Sequence, residues 1–324
     1  MQVEKMVNDI ENTGSTNSDA RIQVTVFTPT YNRSRTLERT YLSLREQSFK
    51  DFEWLVVDDG STDDTASLVA KWQQDENFFP IRYFFKPNGG KHTAHNLGVT
   101  LARGEYFAIL DSDDWYVADT LEILSRHWLA MPDAMKLRYS SVEGICCRED
   151  GTMIGRPFPL DVYDRNLLTI RSLNDKPADT MGMHRLEVLR GFPFPDDFDG
   201  CFVPESLVWD RIAAKYDTRF INFIVGYKEY LPGGLTRRSL KAGLARSGPA
   251  VLYNREMSLR KSLPLAKRLK CKANVYRYAL HNSMPILTEL SAERSRLAGL
   301  AFAAVGYLVY LKDKAAVFRE ELKC

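Results

Sequence analysis

Residues 106–114 read Tyr-Phe-Ala-Ile-Leu-Asp-Ser-Asp-Asp, an apolar run that ends in three carboxylates within four positions. The run has the length of a buried strand. Carboxylates crowded at the end of such a strand repel one another and resist leaving water, so a neutralising cation is the natural explanation. Asp and Ser also build turns and cap helices, and Trp115 can begin a helix. Three acids together at a strand end nevertheless favour a ligand site, because α/β sheets bind ligands at the carboxyl ends of their strands. A divalent metal holding a phosphorylated substrate fits that chemistry.

Working outward, Ile22 to Thr28 alternates apolar and polar residues as a strand does, with Pro29 expected to stop the ladder. Ser34 to Gln47 has near-helical apolar spacing with Ser34 as its cap, and Phe52 to Val57 is a second strand. The alternation continues with a helix over Asp63 to Gln74, a strand over Ile81 to Phe85, a helix over Lys91 to Ala102 and a strand over Tyr106 to Leu110. Four such repeats predict a mostly parallel α/β sheet. The polar turns Thr28 to Arg33, Asp58 to Thr62, Asn88 to Lys91 and Asp111 to Asp114 then converge on one edge. Beyond about residue 135 the alternation loosens, with extended stretches near Tyr139 to Cys147 and Phe220 to Tyr230. From Ser239 the pattern is mainly helical, with Pro249, Pro264 and Pro285 as boundaries.

A second acidic cluster, Asp58-Asp59-Gly60-Ser61-Thr62-Asp63, also follows an apolar strand. Gly60 lets the backbone turn, and an Asp can accept a hydrogen bond from a base or ribose. The two clusters together suggest a nucleotide on one side and its diphosphate on the other. Asn88-Gly89-Gly90-Lys91 lacks the spacing of a phosphate loop, since Phe85 and His92 stand where Gly and Ser or Thr belong. A lysine and helix-start amides able to meet an anion remain. His92 and His95 lie three apart on the same helix, but no third ligand is near, and oxygen-rich clusters prefer magnesium or manganese to zinc.

In this order the elements resemble glycosyltransferase family 2. The matching pieces are Thr28-Pro29-Thr30-Tyr31-Asn32-Arg33, Val57 through Asp63, Gly89 through Gly98 followed by Ala102 through Tyr106, and Leu110 through Asp114. The resemblance covers roughly residues 21 to 130 and implies the GT-A fold. It also implies a nucleotide-sugar donor, usually a uridine diphosphate (UDP) sugar, and transfer by inversion. Carried over by residue, it gives Thr28, Pro29 and Tyr31, with Arg33, to the nucleotide pocket and Asp58 or Asp59 to the base. Lys91, Asn96, Asp111 and Ser112 join the substrate-binding set. The Asp-x-Asp motif maps onto Asp111 and Asp113, with Asp113 the foremost ligand for Mn2+ or Mg2+, and Asp114 assists catalysis. The general base that inversion requires falls in Pro204 to Arg211, where Ser206 replaces the family's expected Asp. Glu205 is the first choice, Asp196, Asp197 and Asp210 are rivals, and Glu205 completing a helix N-terminus is the plainer alternative.

The 324 residues carry a formal charge of +2, yet residues 241–324 hold 16 Lys/Arg against 6 Asp/Glu. The expected organisation is a tail over 1–20, a GT-A domain over 21–235 and a basic helical region over 236–324. The GT-A domain divides into a nucleotide-sugar half over 21–130 and an acceptor half over 131–235. Basic residues from Arg255 to Arg277 interspersed with leucines, and the uncharged run Leu297 to Leu311, suit either a solvated helical face or docking on an anionic membrane through 255–311. The run is too short to span a bilayer. A glycan or lipid-linked acceptor would suit that position, and no motif points to nucleic acid. Five cysteines without a Cys-x-x-Cys pair, and a polar N-terminus unlike a signal peptide, point to the reducing cytoplasm, and the basic region adds the expectation of a peripheral position on the inner membrane face. The alternatives are a sugar nucleotidyltransferase, although the first loop lacks that class's glycines, and a non-catalytic nucleotide-binding scaffold of a polysaccharide assembly.

Overall fold

The computed structural model describes residues 23–75, 78–172, 177–198, 201–229, 244, 247–291 and 295–321. The expected tail over 1–20 and the junction at 235/236 lie outside them. In chain order, β1 (Val24–Thr30), α1 (Leu37–Arg45), β2 (Phe52–Asp58), α2 (Thr65–Asp75), β3 (Ile81–Phe85), α3 (Lys91–Leu101) and β4 (Tyr106–Ile109) alternate as the sequence pattern predicts. Next come β5 (Trp115–Tyr116), α4 (Thr120–Leu129), α5 (Asp133–Lys136), β6 (Tyr139–Cys147), β7 (Val162–Arg165) and α6 (Leu167–Ser172). They are followed by β8 (Thr180–Arg185), α7 (Leu186–Arg190), α8 (Ser206–Ile212) and β9 (Asp217–Tyr227). The chain continues with α9 (Gly248–Leu259), α10 (Leu265–His281), α11 (Ile286–Ser291) and α12 (Arg296–Glu321).

The described strands form one sheet in the order β3-β2-β1-β4-β8-β6-β9-β5, with β7 on β9. β3, β2, β1 and β4 are parallel. At β8 the sheet turns antiparallel, and only β6 and β9 pair in parallel beyond it. The sheet is therefore mixed as a whole rather than mostly parallel. The period of two in β1 sends Val24 and Val26 to a core shared with Tyr41, Trp72 and Trp128, and Phe27 to the opposite core with Ala94, Phe107 and Leu207. Such burial on both faces is what a central parallel strand requires.

Pro29 does not stop β1, as the sequence suggested. Even-numbered positions of β1 bond toward β2, where Thr30 O accepts from Asp59 N–H at 2.8 Å, and odd-numbered ones toward β4, where Phe27 O accepts from Leu110 N–H at 2.9 Å. Pro29 is odd and lies past the last β4 partner, Ile109, so its missing N–H breaks no bond between the two strands. The chain runs from β1 outward through β2 and β3 and then returns to β4 on the other flank of β1. The exits of β1 and β4 thus diverge at the switch point where such sheets open a crevice. α1 begins after Thr36 rather than at Ser34, whose hydroxyl, the group a cap would use, is bonded to Asp63, as is its N–H at 3.0 Å.

Pro249 and Pro264 stand at the start of α9 and before α10, and Pro285 directly precedes α11, as the sequence predicted. Among the described residues no helix is long and apolar enough to cross a membrane. Cys146, Cys147, Cys201 and Cys271 are free thiols.

Candidate active site

The loops leaving β1, β2 and β3 are laced together before any ligand arrives. Asn32, at φ +53°, donates its N–H to Ser61 Oγ at 2.8 Å and accepts from Thr62 N–H at 2.8 Å. Asp59 accepts from Gly89 N–H at 3.0 Å, Gly90 N–H at 2.7 Å and the Lys86 ammonium at 2.5 Å. Asp58 accepts from Ser61 N–H and Tyr83 OH, both at 2.7 Å. Gly60, at φ +89°, is held so close that a Cβ would meet Asn88 N at 2.8 Å.

These contacts place several of the residues singled out in the sequence. Asp58 and Asp59 are buried and already accept two and three bonds from the protein's own donors, so these loops are fixed through them. Thr28 is fully buried and its hydroxyl accepts from Trp54 Nε1 at 2.9 Å, which gives the side chain to the core. Pro29 is likewise buried within β1. Asn96 clamps the Phe194 backbone, donating to its carbonyl at 2.8 Å and accepting its N–H at 2.9 Å, which ties α3 to the loop before α8. Tyr31, half exposed, and Arg33 remain at the mouth.

The acidic turn leaves β4 as expected, closed by Asp114 N–H donating to Asp111 O at 3.0 Å. Ser112 and Asp114 are buried. Burial, then the neighbouring Asp111, pushes the Asp114 carboxyl up to about 8 and raises Asp113 in the same direction. The Arg33 guanidinium lies 3.7 Å from Asp113. Among the described residues no three carboxylate, imidazole or thiolate side chains form a complete metal cage. The donor set still fits a hard cation: its acids are under-neutralised, and one or two carboxylates completed by phosphate oxygens and water is the usual arrangement for magnesium.

Lys91, the first residue of α3, joins this turn to the start of α8. Its ammonium is 2.7 Å from Asp111 Oδ1 and 2.7 Å from Glu205 Oε1. Glu205 sits at the N-terminus of α8 with a side chain 46% exposed. The Lys91 charge holds its carboxyl down at about 2, against the upward push of burial. The rivals are placed otherwise. Asp210 is buried and bonded to Arg171 and to Tyr253 OH, while Asp196 and Asp197 are exposed. His95 is enclosed by Phe27, Phe107, Phe194 and Trp209, and burial lowers it to about 3, so it is a buried, neutral histidine, and among the described residues it joins no metal-binding cluster. His92 is buried as well.

Sequence reading missed a second bracket on the acidic turn. Arg39 of α1 donates to Asp113 O at 2.8 Å and to Glu229 Oε2 at 2.6 Å, with its guanidinium 3.6 Å from the Trp115 ring centroid. Pairing of β5 with the end of β9 brings Lys228 and Glu229 there, and Lys228 is 3.2 Å from Asp179. The strand-end position of Lys228 and Glu229 was the available signal.

The sequence profile described as Glycosyl transferase family 2 matches residues 25–141. An uncharacterized glycosyltransferase of Rickettsia felis is 44% identical over 101 residues, covering 31% of this chain and 16% of that protein. The GalNAc(5)-diNAcBac-PP-undecaprenol beta-1,3-glucosyltransferase of Campylobacter jejuni is 34% identical over 142 residues, 42% of each chain. This chain thus spans less than half the length of these relatives. Among solved structures, S. aureus TarS 1-349 with UDP-GlcNAc superposes with TM-score 0.59 at 18% identity, over 90% of this chain and 81% of that one. A mannosyltransferase from Pyrobaculum calidifontis with GDP-Man and Mn2+ gives 0.54 at 19%, over 97% and 94%. The shared architecture is the GT-A fold.

Proposed function

We propose, on the premise that residues 25–141 match the glycosyl transferase family 2 profile, that the chain is an inverting, metal-dependent glycosyltransferase. It moves a sugar from a nucleotide-diphosphate donor, a UDP-sugar, to a hydroxyl of a glycan or lipid-linked acceptor. The observation that carries this reading is the Lys91 ammonium 2.7 Å from both Asp111 and Glu205, which brings the donor acids and the candidate base into one site. The UDP-GlcNAc of the S. aureus relative supports the donor class, and the undecaprenol in the name of the Campylobacter relative supports the acceptor class.

The acceptor hydroxyl attacks the anomeric carbon from the face opposite the diphosphate, the bond to the diphosphate breaks, and the hydroxyl proton passes to the Glu205 carboxylate. Asp113 with Asp111 would hold Mn2+ or Mg2+, which offsets the charge growing on the leaving diphosphate. A carboxylate held at about 2 is a weak base, so Glu205 needs its lysine partner drawn away. The arriving diphosphate does this, competing for Lys91 at the N-terminus of α3, where backbone amides also favour an anion.

Glu205→Gln tests the reading. Transfer should fall about 10²–10⁴-fold, the usual worth of a general base, while UDP still binds by calorimetry. Unchanged transfer would remove Glu205 from the role.

A further inference from the structure

α12 carries two unlike faces. On one, Gly299 and Gly306 are buried, and a Cβ on Gly306 would lie 2.6 Å from Ala273 O of α10; Asp313 on the same face binds Arg277 at 2.6 Å and His281 at 2.9 Å. On the opposite face Leu297, Leu300, Leu308, Leu311 and Phe318 are 82%, 55%, 66%, 44% and 61% exposed, with exposed alanines between them. At about 100° per residue these side chains fall within an arc of roughly 100°, and from Leu297 to Phe318 the stripe runs about 32 Å along the 26-residue helix. Apolar surface this continuous marks an interaction site.

The charges choose the occupant. Arg296 and Lys314 project at one border of the stripe and Lys312 and Arg319 at the other, all exposed, while the acid Asp313 is turned inward. Cations bordering an apolar strip fit a surface that is apolar within and anionic at its rim. A second copy of the same helix would set like charges against one another. We propose that α12 lies flat on an anionic membrane, with its leucines and Phe318 in the acyl boundary and its four cations among the headgroup phosphates. This sharpens the sequence expectation: in the basic stretch Leu263, Val275 and Tyr276 are buried and, of its large apolar residues, only Leu259, Leu265 and Leu269 are exposed, whereas α12 offers the longer continuous apolar stripe. The inference extends the reading of a lipid-linked acceptor, but binding is measured without turnover, so either can fail alone.

The test is flotation of the full chain with phosphatidylcholine vesicles, with and without phosphatidylglycerol, alongside light scattering. Recovery with the anionic vesicles alone, weakened by salt, is expected. Leu308→Glu should lower partitioning about tenfold or more, and Lys312→Ala about fivefold, in variants whose circular dichroism and UDP binding match the wild type. No flotation on anionic vesicles, or equal flotation of Leu308→Glu, would overturn the proposal. A wild-type dimer that Leu308→Glu converts to monomer without vesicle binding would assign the face to a second copy.

Discussion

At the scale of single residues, the acidic turn divides its labour by burial. Asp113 faces the mouth beside Arg33, whereas Asp114 is buried. Asp113→Ala should therefore abolish transfer while leaving the melting temperature within a few degrees of wild type, and excess chelator should silence the wild type in the same way. Full turnover under either condition would sink the metal assignment. The sequence showed which carboxylates stand at strand ends, because that depends on local pattern. It could not show that Asp58 and Asp59 accept bonds from Ser61, Tyr83, Gly89, Gly90 and Lys86, because which donors meet an acid is decided by loops elsewhere in the chain. His95 carries a pH consequence. Its folded value of about 3 lies below the ordinary 6.5, so below pH 6.5 the unfolded chain binds the extra proton, and stability is lost as pH falls from 6.5 towards 3. The loss approaches roughly 4 kcal/mol. Urea midpoints of His95→Phe should fall less steeply than those of wild type over that window, and parallel curves would contradict the account.

At the scale of elements, strands and helices over the first half were legible because a period of two and turn chemistry are local signals. Where the reading slipped, hydrogen-bond bookkeeping explains it. Pro29 sits in β1 because its missing N–H faces the strand that has ended, and Ser34 yields the cap because Asp63 claims its hydroxyl. Contact between α3 and the sheet is equally constrained. A Cβ on Gly98 would lie 2.3 Å from the Phe27 ring, and both that ring and its neighbour Phe107 are fully buried. Gly98→Ala should cost about 1–3 kcal/mol by overpacking, visible as a lower denaturation midpoint. Because α3 begins with Lys91, donor affinity should weaken with it. An unchanged midpoint would show that α3 shifts freely on the sheet.

At the scale of the whole molecule, what the sequence concealed was brought together over long distances. Arg39, Trp115 and Glu229 meet only because β5 pairs with the end of β9, and no window of sequence contains that pairing. The fold thus closes the donor turn with the last strand of the sheet. The double ion pair of Lys91 has a consequence for kinetics as well. On the proposed function, while Lys91 holds Asp111 and Glu205 together, an acceptor that arrives first would find the proposed base neutralised, so a compulsory order with the nucleotide sugar leading is expected. Product inhibition reads that order directly. UDP should compete with the donor and act as a mixed inhibitor against the acceptor, whereas Lys91→Met should relax the sequence toward random addition, at the cost of hydrolysing donor to water when no acceptor is present.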